Sequence, residues 1–315
     1  SATFEDYNNM LATARPDIVA VCPRHADQHC EMILAAIQHG AKGVYVEKPF
    51  VQTPEEADRV LKASEKSGCK VAVAHRNRYH PTLKVIDRLL EEKTIGKLLE
   101  IRGRGKGDRR GGAEDLWVLG SHVLNLMSYF AGPAQRCSAS MLQDGEPVTR
   151  DDIRKGVEGL GPLAGNELHA RYEFASGLTG YFDSVANDGT SNAAFGLQLV
   201  GSKGIIQIQC DVNPLAYLVP GNPFAPTKRA RPWLPISSVG VDQPEPDEPL
   251  ILQVQHHAVA ILDLIDAIER DRAPLCDAIE GAATIEMIHA VFQSHFAGGR
   301  SLTLPLAHRN HVMAG

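Results

Sequence analysis

Apolar residues along the first hundred positions come in short runs, and longer stretches with helical spacing separate them. Asp17-Ile18-Val19-Ala20-Val21-Cys22, Gly43-Val44-Tyr45-Val46 and Lys70-Val71-Ala72-Val73-Ala74-His75 are compact and rich in β-branched residues, as buried strands are. Between the first two, Met32, Ile33, Ala36 and Ile37 mark a helix over 26–39, with Gly40 suited to its end. Thr53-Pro54-Glu55-Glu56 carries a capping box with proline at the first helical position, and the helix it opens runs to Gly68. Strands alternating with helices predict a parallel sheet with helices on its faces.

A helix over 81–92, with Leu83, Ile86, Leu89 and Leu90 on its apolar side, leads to Thr94-Ile95-Gly96-Lys97, where the domain boundary is placed. The units are 1–96 and 97–315. The second is richer in strands. Leu98-Leu99-Glu100-Ile101-Arg102 begins one, and 168–174 alternates apolar and polar residues as a half-buried strand does. The runs 195–200 and 205–210 flank Gly201-Ser202-Lys203-Gly204, a hairpin signal. A proline-dense loop spans 220–249, and helices are predicted over 252–269 and 279–297. The expected fold class is α/β, a partial Rossmann-type parallel sheet followed by an α+β domain with a large, open, mostly antiparallel sheet.

Composition narrows the function classes. The 315 residues carry a formal net charge of -6, which gives no electrostatic case for nucleic acid. No apolar run approaches a membrane span. The six cysteines are scattered with no C-x-x-C pair, and read as buried thiols of a reducing, cytoplasmic compartment and not as a disulfide frame or metal site.

The chemistry concentrates at Glu47-Lys48-Pro49, which ends the second apolar run. Open α/β sheets bind ligands at the carboxyl ends of their strands, and a lysine there can exchange a proton beside a cofactor. The other reading of this tripeptide is a surface ion pair at a strand end. Further on, Gly120-Ser121-His122 opens an apolar helix that ends at Gly132.

Taken together, Asp17–Pro23 with His29, Gly40–Pro49, Asn77-Arg78-Tyr79-His80-Pro81, Gly120-Ser121-His122 and the tail from Ala267 to Pro305 resemble the glucose–fructose oxidoreductase / inositol dehydrogenase / rhizopine-catabolism (GFO/IDH/MocA) family. The resemblance covers essentially the whole chain. It implies an NAD- or NADP-dependent oxidoreductase acting on sugar-like or polyol substrates, and a homo-oligomer, dimer or tetramer. Lys48 and His122 match the family positions that act on the substrate hydroxyl. Cys22, Pro23, His25, His29, Glu47, Pro49, Asn77 and Arg78 fall where the family holds its cofactor. Arg104, Trp117 and His257 are candidates, with Lys48 and His122, for the substrate side.

Two departures stand out. The family's Gly-rich turn is not found between the first strands; Gly103–Gly107 and Gly159–Gly161 contain G-x-G but lie outside any strand–helix unit. Roughly 60 residues, two βα units, are expected before Ser1 in family members, so the chain reads either as a truncated member or as a natural variant with an incomplete dinucleotide site. The family pattern Asp-x-Gly-x-His-x-x-Asp reads Val118-Leu119-Gly120-Ser121-His122-Val123-Leu124-Asn125 here. Asp115, one helical turn before Val118, is the replacement candidate for catalysis, with Glu114 second; the alternative for Asp115 is a helix cap. The function set against oxidoreduction is that of a non-catalytic sugar- or nucleotide-binding scaffold.

Overall fold

A computed structural model describes residues 2–314. After helix α1 (Tyr7–Ala14), strands β1 (Ile18–Val21), β2 (Gly43–Val46) and β3 (Lys70–Val73) form a parallel sheet in that order. Helices α2 (His29–Gln38) and α3 (Pro54–Ser67) connect them. A 3-10 turn, Ala26–Gln28, stands where the sequence suggested the first turn of α2. Every residue of β2 is buried, as its apolar run demands. At the start of α3, Thr53 Oγ1 accepts the Glu56 N–H (3.2 Å), while Glu56 reaches back to the N–H of Gln52 (2.7 Å), one residue before the expected partner.

Helix α4 (Thr82–Glu91) leads to β4 (Leu98–Arg104), then a short α5 (Ala113–Asp115), a π-helical turn (Leu116–Gly120) and α6 (Ser121–Ala131). Strands β5 (Ala134–Gln143), β6 (Glu146–Pro147), β7 (Arg154–Lys155), β8 (Pro162–Leu163), β9 (Glu167–Phe174), β10 (Thr179–Val185), β11 (Gly196–Gly201), β12 (Gly204–Gln209), β13 (Ala216–Pro220) and β14 (Leu234–Ile236) follow. Helices α7 (Glu248–Gln255), α8 (Ala258–Glu269) and α9 (Ala278–Phe296) precede β15 (Leu302–Thr303). The large sheet runs β14-β13-β12-β11-β4-β10-β9-β5-β15 and is antiparallel except where β4 meets β10. The expected open, mostly antiparallel sheet is therefore present.

The alternation read in 168–174 sets the two faces of that sheet. Leu168, Ala170, Tyr172 and Phe174 point to the helices, and His169, Arg171 and Glu173 point away. Tyr172 and Phe182 are fully buried with Trp117 and Phe292, and the Tyr172 hydroxyl donates to the Met287 carbonyl of α9 (3.1 Å). Each such side chain contributes about 1.5–3 kcal/mol by leaving water. Gly105 permits a close approach beside this layer: a Cβ there would lie 1.8 Å from Asp115 Oδ2 and 2.7 Å from Ser184 Oγ. Gly105→Ala is expected to cost about 2 kcal/mol or more by breaking buried hydrogen bonds, and a thermal melt checks it.

One predicted helix divides. The expected single helix over 252–269 is α7 and α8, bent by 81° at His256–His257. His257 takes a left-handed backbone (φ 64°), which ends one helix and starts the next. Helices α8 and α9 return to pack on β2 and β3, so the chain's last third covers the first sheet. Five of the cysteines are buried, whereas Cys22 is exposed at the exit of β1. Among the described residues no single helix is long and apolar enough to cross a membrane.

Candidate active site

The carboxyl ends of β1, β2 and β3 lead to Cys22-Pro23, Glu47-Lys48 and His75-Arg76-Asn77 on one side of the parallel sheet. Lys48 is held there by its place directly after the buried β2. Its ammonium donates to the Val118 carbonyl (2.9 Å), which lies in the π-helical turn just before α6. Such turns recur at functional sites because they redirect backbone groups. His122, on the first turn of α6, is 4 % exposed, and its Nδ1 is 3.4 Å from Nδ1 of His75. Gly120 lets this turn sit on the core, since a Cβ there would meet Phe182 Cζ at 2.8 Å. Lys48 and His122, distant in sequence, thus meet at one place.

Burial lowers the Lys48 amine from its ordinary value, against the opposing pull of Glu47, Glu158 and Asp211. Burial also takes His122 down to about 3; Asp211 acts to raise it, and Lys48, Arg76 and His257 to lower it. His75 is buried and held well below the usual histidine range by burial and by His122. Both imidazoles are therefore neutral at pH 7, able to accept a proton from one side and donate to the other.

The surrounding groups come from four other elements. Arg76 Nε donates to Asp211 Oδ1 (2.8 Å), and Asn77 both donates to that oxygen and accepts the Asp211 N–H (3.2 Å each). The Tyr45 hydroxyl meets His257 Nδ1 at 2.7 Å, which places His257 near the Lys48–His122 cluster. The 156–161 turn closes over the β1 exit: the Ala26 N–H donates to the Glu158 carbonyl (3.0 Å), Arg24 Nε to the Glu158 carboxylate (2.8 Å), and Gln52 to the Gly159 carbonyl (3.0 Å). Gly159 and Gly161 serve this contact, which accounts for one of the G-x-G segments set aside above.

Several sequence candidates lie elsewhere or act indirectly. Trp117 is fully buried against His289 and Phe292, a core residue with no surface for a substrate. Asp115 stands at the N-cap position of the π-helical turn but makes no side-chain capping bond there. It lies inside α5, where it accepts from Ser184 Oγ (2.6 Å) and the Lys106 N–H (3.1 Å). Glu114 is half-buried beside it. Arg104 pairs with Asp188 on the sheet face opposite α6, because Gly103 next to it points at Val123 of that helix. Arg104→Ala is expected to change KM for any substrate by less than about twofold, as loss of an exposed ion pair does; steady-state kinetics check it. Arg78 is engaged by Glu280 (2.9 and 3.0 Å) and stacks on Tyr129. His29 is buried, its ring bridging the carbonyls of Pro49 and Pro23 (2.9 Å each), so it ties two strand exits together. His25 is exposed and Pro49 buried.

Asp211 was not a candidate from sequence. It follows a strand with no motif around it, and only the fold brings 211 to 76 and 122. A cavity of about 560 Å³ lies between the end of α3, β3 and the 271–279 connection, and none of the lysine–histidine cluster lines it.

Residues 1–75 match the model for the oxidoreductase family, NAD-binding Rossmann fold, and residues 71–304 that for the oxidoreductase family, C-terminal alpha/beta domain. The chain belongs to the GFO/IDH/MocA oxidoreductase family. Levoglucosan dehydrogenase of Pseudarthrobacter phenanthrenivorans is 25 % identical over 218 residues, 61 % of this chain and 55 % of that protein. The putative oxidoreductase YteT of Bacillus subtilis is 36 % identical over 95 residues, 30 % and 22 %. Inositol 2-dehydrogenase of Paracoccus denitrificans is 33 % identical over 97 residues, 30 % and 28 %. The chain thus spans about half, or less, of the length of these relatives. In fold it is similar to apo levoglucosan dehydrogenase (TM-score 0.73, 19 % identity, covering 97 % of this chain and 84 % of the other). It is similar also to the WlbA dehydrogenase of Bordetella pertussis, solved with NADH and UDP-GlcNAcA (TM-score 0.67, 18 % identity, 96 % and 84 %).

Cys22 is exposed and Pro23, Glu47 and Lys48 are partly exposed at the crevice where open parallel sheets hold ligands.

Proposed function

We propose that this protein is an oxidoreductase that moves a hydride between a nicotinamide cofactor, NAD or NADP, and the carbinol carbon of a sugar-like or polyol substrate. The observation that carries this reading is the meeting of Lys48 and His122 at the carboxyl end of β2, with the lysine half-buried and bonded to the turn that presents the histidine. Relatives named for levoglucosan and inositol support the substrate class, and one solved neighbour holds NADH with levoglucosan.

The bound nicotinamide supplies the hydride acceptor. Cys22, Pro23, Glu47 and Lys48 would line it, and His29 fixes the loops that carry them. Lys48 positions the substrate hydroxyl and takes up its proton as the carbon loses hydride. His122 passes that proton on, with His75 behind it. Burial weakens the hold of the Lys48 amine on its proton and keeps His122 neutral, so the ring can accept at one nitrogen while donating from the other.

With the division at 96–97 read from sequence, the first unit holds the cofactor and the second closes the substrate side. The open outer face of the large sheet suits a homo-oligomer, and the free thiols suit the cytoplasm. One observation favours a binding module without turnover: Val118 stands where the family pattern has aspartate. Titration calorimetry with NADH and NADPH tests the proposal. Micromolar binding of either is the expected result, and no heat at millimolar cofactor would overturn it.

A further inference from the structure

Lys48 faces three carboxylates and one cation: Glu47, Glu158, Asp211 and Arg76. Glu47 is turned back onto the Lys48 backbone N–H (3.0 Å), and Glu158 is engaged by Arg24. Of the three, only Asp211 acts on both Lys48 and His122, whose other charged or titratable neighbours are Lys48, Arg76, His257 and His75.

Asp211 is built into this position. Its backbone is left-handed (φ 64°), a conformation aspartate tolerates at a cost. The Cys210 N–H before it donates to the Phe195 carbonyl (2.8 Å), and the Phe195 ring packs on His122 (6.3 Å between centroids). On the other side Arg76 and Asn77 both donate to Oδ1, and those residues follow His75, the other ring on His122. The β12–β13 turn and the β3 exit thus clasp His122 from two directions, with Asp211 at the join. Hydrogen bonds to a carboxylate hold it ionised.

We infer that Asp211 is the positioning carboxylate of this site: it supplies to the Lys48–His122 pair the negative charge that the family pattern draws from the position held here by Val118. The inference rests on the proposed function for its meaning in turnover, but not for its test.

The test reads the Lys48 amine directly. The acetylation rate of Lys48 is measured against pH, by peptide mass spectrometry, in the wild type, Asp211→Asn and Asp211→Glu. Asn keeps an acceptor for Arg76 and Asn77 and removes the charge. Its midpoint is expected to fall by about one pH unit, the scale of a nearby opposite charge, and D211E is expected to hold the wild-type value. Val118→Asp in the D211N background is expected to bring the midpoint back. Should D211N not fold, Asp211→Ser removes the same charge with a smaller side chain. An unchanged midpoint in the folded charge-removed variant, or equal shifts in D211N and D211E, overturns the inference. Where a polyol is turned over, D211N is expected to lower kcat on the order of tenfold, with KM for cofactor unchanged. If the wild-type protein turns over no polyol, the proposed function fails while the amine midpoint still decides the place of Asp211.

Discussion

Replacing Lys48 by methionine is expected to lower turnover by about 10²- to 10⁴-fold, the usual yield of a positioned acid–base group, and to leave the protein folded. Methionine fills the half-buried channel without the donor. The variant loses the hydrogen bond to the Val118 carbonyl (2.9 Å), and that carbonyl then turns to water or substrate. Burial disfavours the charged amine, so an apolar side chain of similar length relieves a desolvation cost that offsets the lost hydrogen bond. The comparison to make is kcat and KM for wild type and K48M, with circular dichroism and a melt on both. A variant that keeps turnover within tenfold removes Lys48 from the proton path.

The second large effect is on stability at mild acid. His80 and His311 are held at about 4 and His289 at about 3, in each case chiefly by burial. His289 Nδ1 and His311 Nε2 are buried without a partner, as is Trp117 Nε1 against the same ring. The sign follows from proton counts. An unfolded histidine titrates at its ordinary value, near 6.5, so between that pH and the folded midpoint the unfolded chain binds more protons. Stability from these groups is complete above about pH 6.5 and is lost as pH falls toward 4. At about 1.4 kcal/mol per group per pH unit, the three lose roughly 8 kcal/mol by about pH 4.5, a large share of a typical domain's total. Urea melts from neutral pH to about 4.5 measure it. His311→Phe, which keeps the stack on Phe292, is expected to lower the slope by about one proton; an unchanged slope contradicts the assignment.

What the sequence made legible follows from periodicity. The three parallel strands, α3 with its proline and capping threonine, the hairpin at 201–204 and the alternation in β9 were all readable, because each is dictated by local spacing and burial. The break at His257 was not, because a histidine, with no glycine or proline beside it, takes the left-handed backbone there. Lys48 and His122 could be named from their flanks, but their meeting could not be read from spacing. Trp117 and Arg104 lie close in sequence to the site, but one residue along a strand, or two along a helical turn, carries a side chain to another face. Asp115 looked like a replacement for the missing aspartate because it sits one turn away, yet the Lys106 N–H and the Ser184 hydroxyl capture its carboxylate. Asp211 carried no signal at all, since its role comes from a contact between two distant turns.

The most direct test of hydride transfer uses a carbinol-deuterated substrate, with levoglucosan and inositol as the first panel, and follows deuterium into the nicotinamide ring by NMR. Deuterium is expected at the ring carbon of NAD or NADP with at least one of these substrates, and none with K48M. Cofactor that stays unlabelled across a wide sugar and polyol panel, while remaining bound, would contradict hydride transfer.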